Sequence, residues 1–84
     1  MSAHRDWRLL FEDIFEAAEK IEQYTRGMDF ESFASSSMEV DATIRNLMIV
    51  GEAARHVPPD VQSRCPEVDW RQMNDMRNVL IHAV

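Results

Sequence analysis

Arg77 and His82 lie five positions apart in the run RNVLIHAV, Arg77 to Val84, and they are the two side chains best suited to chemistry on a phosphodiester. A histidine gives or takes a proton near neutral pH. An arginine grips phosphate through a fork of N–H donors and offsets charge that develops in a transition state. Asn78, beside the arginine, can orient the histidine or donate to phosphate. Together the three would support metal-independent RNA cleavage with the ribose 2′-hydroxyl as internal nucleophile. By spacing alone the pattern is weak. Helical proteins produce such pairs by chance, and a paired arginine with a helix-capping or core-edge histidine is the commoner arrangement.

On an ideal helix Arg77 and His82 point about 140° apart, so one helix does not present them side by side. Two such helices meeting across a dyad would pool both residue types in one cleft. Arg77 is the anomaly of its helix. Its direction falls inside a broad apolar arc that includes Trp70, Met73, Met76, Val79 and Leu80, whereas Arg71, Asn74, Asp75, Asn78 and His82 gather opposite. A charge inside an apolar arc must be paired, reach outward, or face something polar beyond the fold. Glu52 and His56 form an i,i+4 pair whose commonest role is a surface interaction, and Glu52 is a supporting candidate from another helix.

Other chemistries fare poorly. His4, His56 and His82 have no metal-ligand spacing, so neither a metal nor a cofactor is expected. Ser35-Ser36-Ser37 lacks a nucleophile-elbow context, and two glycines cannot build a phosphate-cradling loop. One cysteine, Cys65, excludes an internal disulfide framework. Fifteen acidic residues against nine basic give a formal charge of −6, which argues against an isolated nucleic-acid-binding module unless the chain builds a locally basic cleft or takes a basic partner. No apolar run is long enough to span a bilayer, and a cytoplasmic protein is expected.

Periodicity supplies the elements that must position these residues. From about Asp6 to Arg26, Trp7, Leu10, Phe11, Ile14 and Ile21 share one side of an amphipathic helix that Gly27 stops. Asp29 caps a short turn bearing Phe30 and Phe33. A second long helix begins near Ser37 or Met38, with serine caps, and ends at Pro58-Pro59. Val40, Ile44, Leu47, Met48, Gly51 and Ala54 form one apolar face of it; Ala42, Ile49, Val50 and Ala53 form much of another. A helix apolar on two sides is buried on two sides, which points to a central helix that also meets a second subunit. Pro59 opens a short turn through Arg64, and Asp69 caps a last helix from Trp70. Strand patterns are absent. The expected fold is all-α: an antiparallel helical bundle forming one domain over residues 1–84.

The segments MRNVLIHA, CPEVDWRQMND, IRNLMIVGEAARHVP and LLFEDIFEAAEKIEQYT together resemble the HepT-type branch of the HEPN superfamily, over nearly the whole chain. That resemblance implies a dimeric, nucleotide-binding toxin ribonuclease of a type VII toxin–antitoxin pair, with RNA as substrate and a minimal nucleotidyltransferase as antitoxin. The family signature is an arginine, four to six residues, a histidine, one residue, then tyrosine. Arg77 and His82 match its catalytic pair, and Asn78 matches the polar residue that follows the arginine. The tyrosine, which the partner adenylylates, falls at Val84, so no modification site is expected; the family's further C-terminal helical sequence is absent here. The alternative expectation is a non-catalytic helical module that binds a nucleotidyltransferase.

Overall fold

The computed structural model describes residues 6–83, and Val84 and His4 lie outside them. The first helix, α1, runs from Trp7 to Thr25. The Asp6 carboxylate accepts from the Arg8 backbone N–H at its start, at 3.0 Å, and Gly27 takes a positive φ of 76° just past its end, a conformation that costs glycine little. Asp29 caps α2, Phe30–Ala34, by accepting from Ser32 N–H at 2.8 Å. The central helix α3 spans Ser37–Arg55, α4 is the single turn Pro59–Gln62, and α5 is Trp70–Ala83. Asp69 caps α5, accepting from Gln72 N–H at 3.0 Å. No strand occurs among the described residues.

The serine cap of α3 is the exception. Ser36 occupies the N-cap position, yet its hydroxyl turns back to the Ser32 carbonyl at 2.7 Å, and no side chain caps the helix. Ser35 likewise donates to the Glu31 carbonyl. The serines therefore close α2 rather than open α3.

The helices pack antiparallel, with α3 in contact with α1 on one side and α5 on another. Helix α3 thus finds two neighbours within the chain, α1 and α5. Of the residues fully buried on α3, Gly51, Ala53 and Ala54 belong to the two apolar faces, whereas Thr43 and Asn46 do not, and Ile49 of the second face is 40% exposed. Asn46 satisfies itself against the Ala42 carbonyl at 2.9 Å, and Thr43 Oγ1 finds no partner among the described residues.

The core sits where the start of α1, the end of α3, α4 and the start of α5 converge. Leu10, Ala53, Val57 and Val61 are buried there, with Trp7, Phe11, Ile14 and Trp70 around them. Trp7 and Phe11 meet edge-on with centroids 5.7 Å apart, and Phe11 meets Trp70 likewise at 6.1 Å. The Trp70 indole N–H donates to the Gln62 and Cys65 carbonyls, both at 3.2 Å. The Gln62 amide donates in turn to the Val57 carbonyl at 3.0 Å. This polar stitching ties α4 to both long elements and sets where α5 departs.

Candidate active site

Arg77 comes to rest against α3. At Gly51 a Cβ would lie 2.5 Å from the Cβ of Arg77 and 3.2 Å from the Met73 carbonyl oxygen, so the missing side chain is what lets the two helices approach. The next residue, Glu52, receives the guanidinium: Arg77 Nε donates to Glu52 Oε1 at 2.6 Å. Asn78 accepts from Arg77 Nη1 at 3.1 Å. The arginine inside the apolar arc is therefore paired, and only 18% of its side chain is exposed. Among the described residues two of its five N–H donors have acceptors, Glu52 and Asn78.

Glu52 uses its other oxygen for His56, at 2.9 Å from Nε2, and Arg55 Nη1 stands 3.9 Å from Oε1. An ionised carboxylate has no proton to give, so His56 Nε2 is the donor in that contact. The hydrogen bond from His56, followed by the hydrogen bond and charge of Arg77, holds the Glu52 carboxyl below its ordinary value of 4.5 against the opposing effect of desolvation.

Arg77, Glu52 and His56 line one groove of about 970 Å³ between α1, α3 and α5. Leu10, Ile44, Met48 and Ile81 supply apolar wall, and Asp13, Asp41 and Arg45 add charge. His82 is exposed in the last turn of α5, outside that groove. A histidine there also sits favourably against the helix C-terminal dipole when protonated. One chain thus brings Arg77, Asn78 and Glu52 together and leaves His82 apart, as the spacing requires. The histidine joined to Arg77 within the chain is His56, through a carboxylate they share. Periodicity names Gly51 only as a member of an apolar face and His56 only as the i,i+4 partner of Glu52, and the structure brings both to Arg77. The run GEAARH carried the signal only in part, since nothing local says which arginine it receives.

Among the described residues no group of three His, Cys, Asp or Glu side chains could hold a metal ion, and no helix is long and apolar enough to cross a membrane.

An all-helical bundle with an arginine seated on its central helix defines the structural class, and comparison with known proteins gives the family. The Ribonuclease HepT-like family model matches residues 14–83. A protein named "Probable ribonuclease HepT" from Thermococcus cleftensis is 44% identical over 81 residues, covering 96% of this chain and 71% of that one. A protein of Methanocaldococcus jannaschii that carries a provisional RNase name is 37% identical over 78 residues, covering 93% of this chain and 72% of its own. A similarly named protein from Caldanaerobacter subterraneus is 31% identical over 75 residues, or 67% of its length. No solved structure matches the chain significantly. The chain belongs to the HepT-like ribonuclease family, within the HEPN superfamily.

Proposed function

We propose that this protein is the toxin of a toxin–antitoxin pair, a metal-independent endoribonuclease that works in the cytoplasm as a homodimer. The observation that carries this reading is the seat of Arg77: a guanidinium on a largely buried side chain, tethered by Glu52 and Asn78 beside a groove, with three N–H donors uncommitted among the described residues. A guanidinium held in this way costs little further ordering when it grips a phosphodiester. The names of the relatives favour RNA as the polymer.

In this reading two copies of α5 meet across a dyad, so that Arg77 of each faces His82 of the other. One His82 takes the proton of the 2′-hydroxyl, and the 2′-oxygen attacks phosphorus. The bond to the 5′-oxygen breaks, and the leaving oxygen takes a proton from the second, protonated His82. The products are a 2′,3′-cyclic phosphate and a 5′-hydroxyl. Arg77 offsets the charge gained at phosphorus, and Asn78 steadies the arginine. Ile49 on α3 is 40% exposed, and Val79 and Ile81 on α5 are 65% and 38% exposed, which is apolar surface a second copy would cover. The test is RNA cleavage by the wild-type protein beside Arg77→Ala and His82→Ala, read by denaturing gel. Loss of cleavage in both variants, by about a hundredfold or more, is the expected result.

A second reading is favoured by the formal charge of −6 and by Val84 at the position of the family's tyrosine. Here the bundle is a non-catalytic module that docks a basic minimal nucleotidyltransferase. Co-purification with such a partner, together with no cleavage above that of the Arg77→Ala variant, would select it.

A further inference from the structure

We infer that His56 is a positioning residue for Arg77, acting through Glu52, so that one turn of α3 sets the direction of the arginine on α5. The inference rests on the ribonuclease reading for its catalytic consequence, and on geometry alone for the linkage itself.

Arg77 is fixed at both ends by consecutive residues of α3. Its Cβ lies against Gly51, and its Nε is held by Glu52 Oε1 at 2.6 Å. A carboxylate held through one oxygen can still swing about its own side-chain bonds, and a half-exposed glutamate has room to do so. The second oxygen removes that freedom. His56 sits one helical turn after Glu52, which is where an i,i+4 partner reaches it, and its Nε2 lies 2.9 Å from Oε2. With Oε2 tethered to α3, the carboxylate plane is set, and with it the lone pair on Oε1 that Arg77 Nε must meet. Asn78 then fixes the far side of the guanidinium through Nη1.

The charges around Glu52 do not offer a substitute for His56. Arg55 on α3 is 3.9 Å away, beyond hydrogen-bond range, and it approaches the same oxygen as Arg77. From α1 Asp13 lines the groove, and from α3 Asp41 and Arg45 do; α5 presents no ionisable side chain there besides Arg77. The His56 and Glu52 side chains are 58% and 47% exposed, so their contact adds little to stability. Its consequence is directional instead. A displacement of about 1 Å in a group that must meet a transition state can cost on the order of a hundredfold in rate, without a matching change in stability.

The experiment has two arms on the full chain, with His56→Leu, which removes the donor, and His56→Gln, whose amide can reach Glu52 Oε2 from the same place. The first arm reads the Arg77 Nε–H resonance by nitrogen-15 NMR, assigned by its loss in Arg77→Ala. His56→Leu is expected to move that resonance and speed its solvent exchange, and His56→Gln to restore it. The second arm reads kcat and KM on a fluorogenic RNA: kcat falls roughly tenfold in His56→Leu with KM little changed, and recovers in His56→Gln, while both variants melt like the wild type. An Nε–H signal and a kcat both indifferent to His56→Leu overturn the inference. So does a kcat that falls equally in both variants, which would give His56 a direct chemical role. If the wild type shows no Arg77-dependent cleavage, the ribonuclease reading fails and the NMR arm still decides the linkage.

Discussion

Glu52 is the residue on which the candidate site turns, because it accepts from Arg77 on another helix and from His56 on its own. Its carboxyl is held low first by the His56 hydrogen bond and then by Arg77. A carboxylate whose folded value is depressed stabilises the native state above its unfolded value, and that stabilisation disappears as pH falls through the folded value. The wild type is therefore expected to be more stable than Glu52→Gln near neutral pH. The margin is under about 1 kcal/mol, because the group is half exposed and screened by solvent. That margin should close as pH drops below 4.5. Thermal melts of the two proteins at matched pH values check this; a constant difference down to strongly acidic pH would mean that Glu52 carries no folded-state charge interaction. At this scale the sequence was legible in part. Arg77 stood out as a charge in an apolar arc, and Glu52 as a supporting candidate. Their pairing spans 25 positions, however, and no helical period reports a contact at that range.

At the scale of elements, caps and breakers were read closely from the residues. Asp29, Asp69, Gly27 and Pro58-Pro59 each act where their local chemistry says they should. The serines before α3 were not, because a hydroxyl can bond backward to a carbonyl as readily as forward to an N–H, and here it closes α2. The faces of α3 were only half legible. Hydropathy put Gly51 among apolar neighbours, whereas its contribution is the absence of a side chain against Arg77 and Met73. Thr43 and Asn46 are buried ahead of Ile49 because α1 and α5 between them decide which side is covered. Gly51→Ala tests the contact between α3 and α5. Alanine in a helix gains about 1 kcal/mol over glycine. The new methyl group meets the Cβ of Arg77 and a backbone carbonyl, neither of which can swing aside, so α5 must move at a cost of about 1–3 kcal/mol. The expected outcome is a melting temperature lower by several degrees together with weaker RNA cleavage. A variant that melts higher and cleaves normally would show that the approach of α5 is not limiting.

At the scale of the molecule, the buried apolar side chains among the described residues are few and mostly small: Leu10, Ala17, Ala53, Ala54, Val57 and Val61. Among the described residues no large side chain is completely enclosed, and none on α5 is fully buried. A bundle of 84 residues with so thin a core gains much from covering further surface. Ile49, Val79 and Ile81 are among the exposed apolar residues that would gain. Light scattering at micromolar concentration should give twice the mass of one chain, and a strict monomer would remove the composite cleft that brings His82 to Arg77. The all-α class and the bundle were legible from periodicity because each long helix carries its own apolar stripe. The oligomeric state was not, since a helix apolar on two sides is satisfied equally by two neighbours in one chain or by one of them in another.

The central claim is that Arg77 and His82 cleave RNA together, and cleavage by the purified protein tests it most directly. The wild-type dimer should convert a defined RNA to fragments ending in 2′,3′-cyclic phosphate, and Arg77→Ala and His82→Ala should each lose that activity while keeping wild-type helicity and mass. Equal cleavage by all three proteins, or none by the wild type, would contradict it.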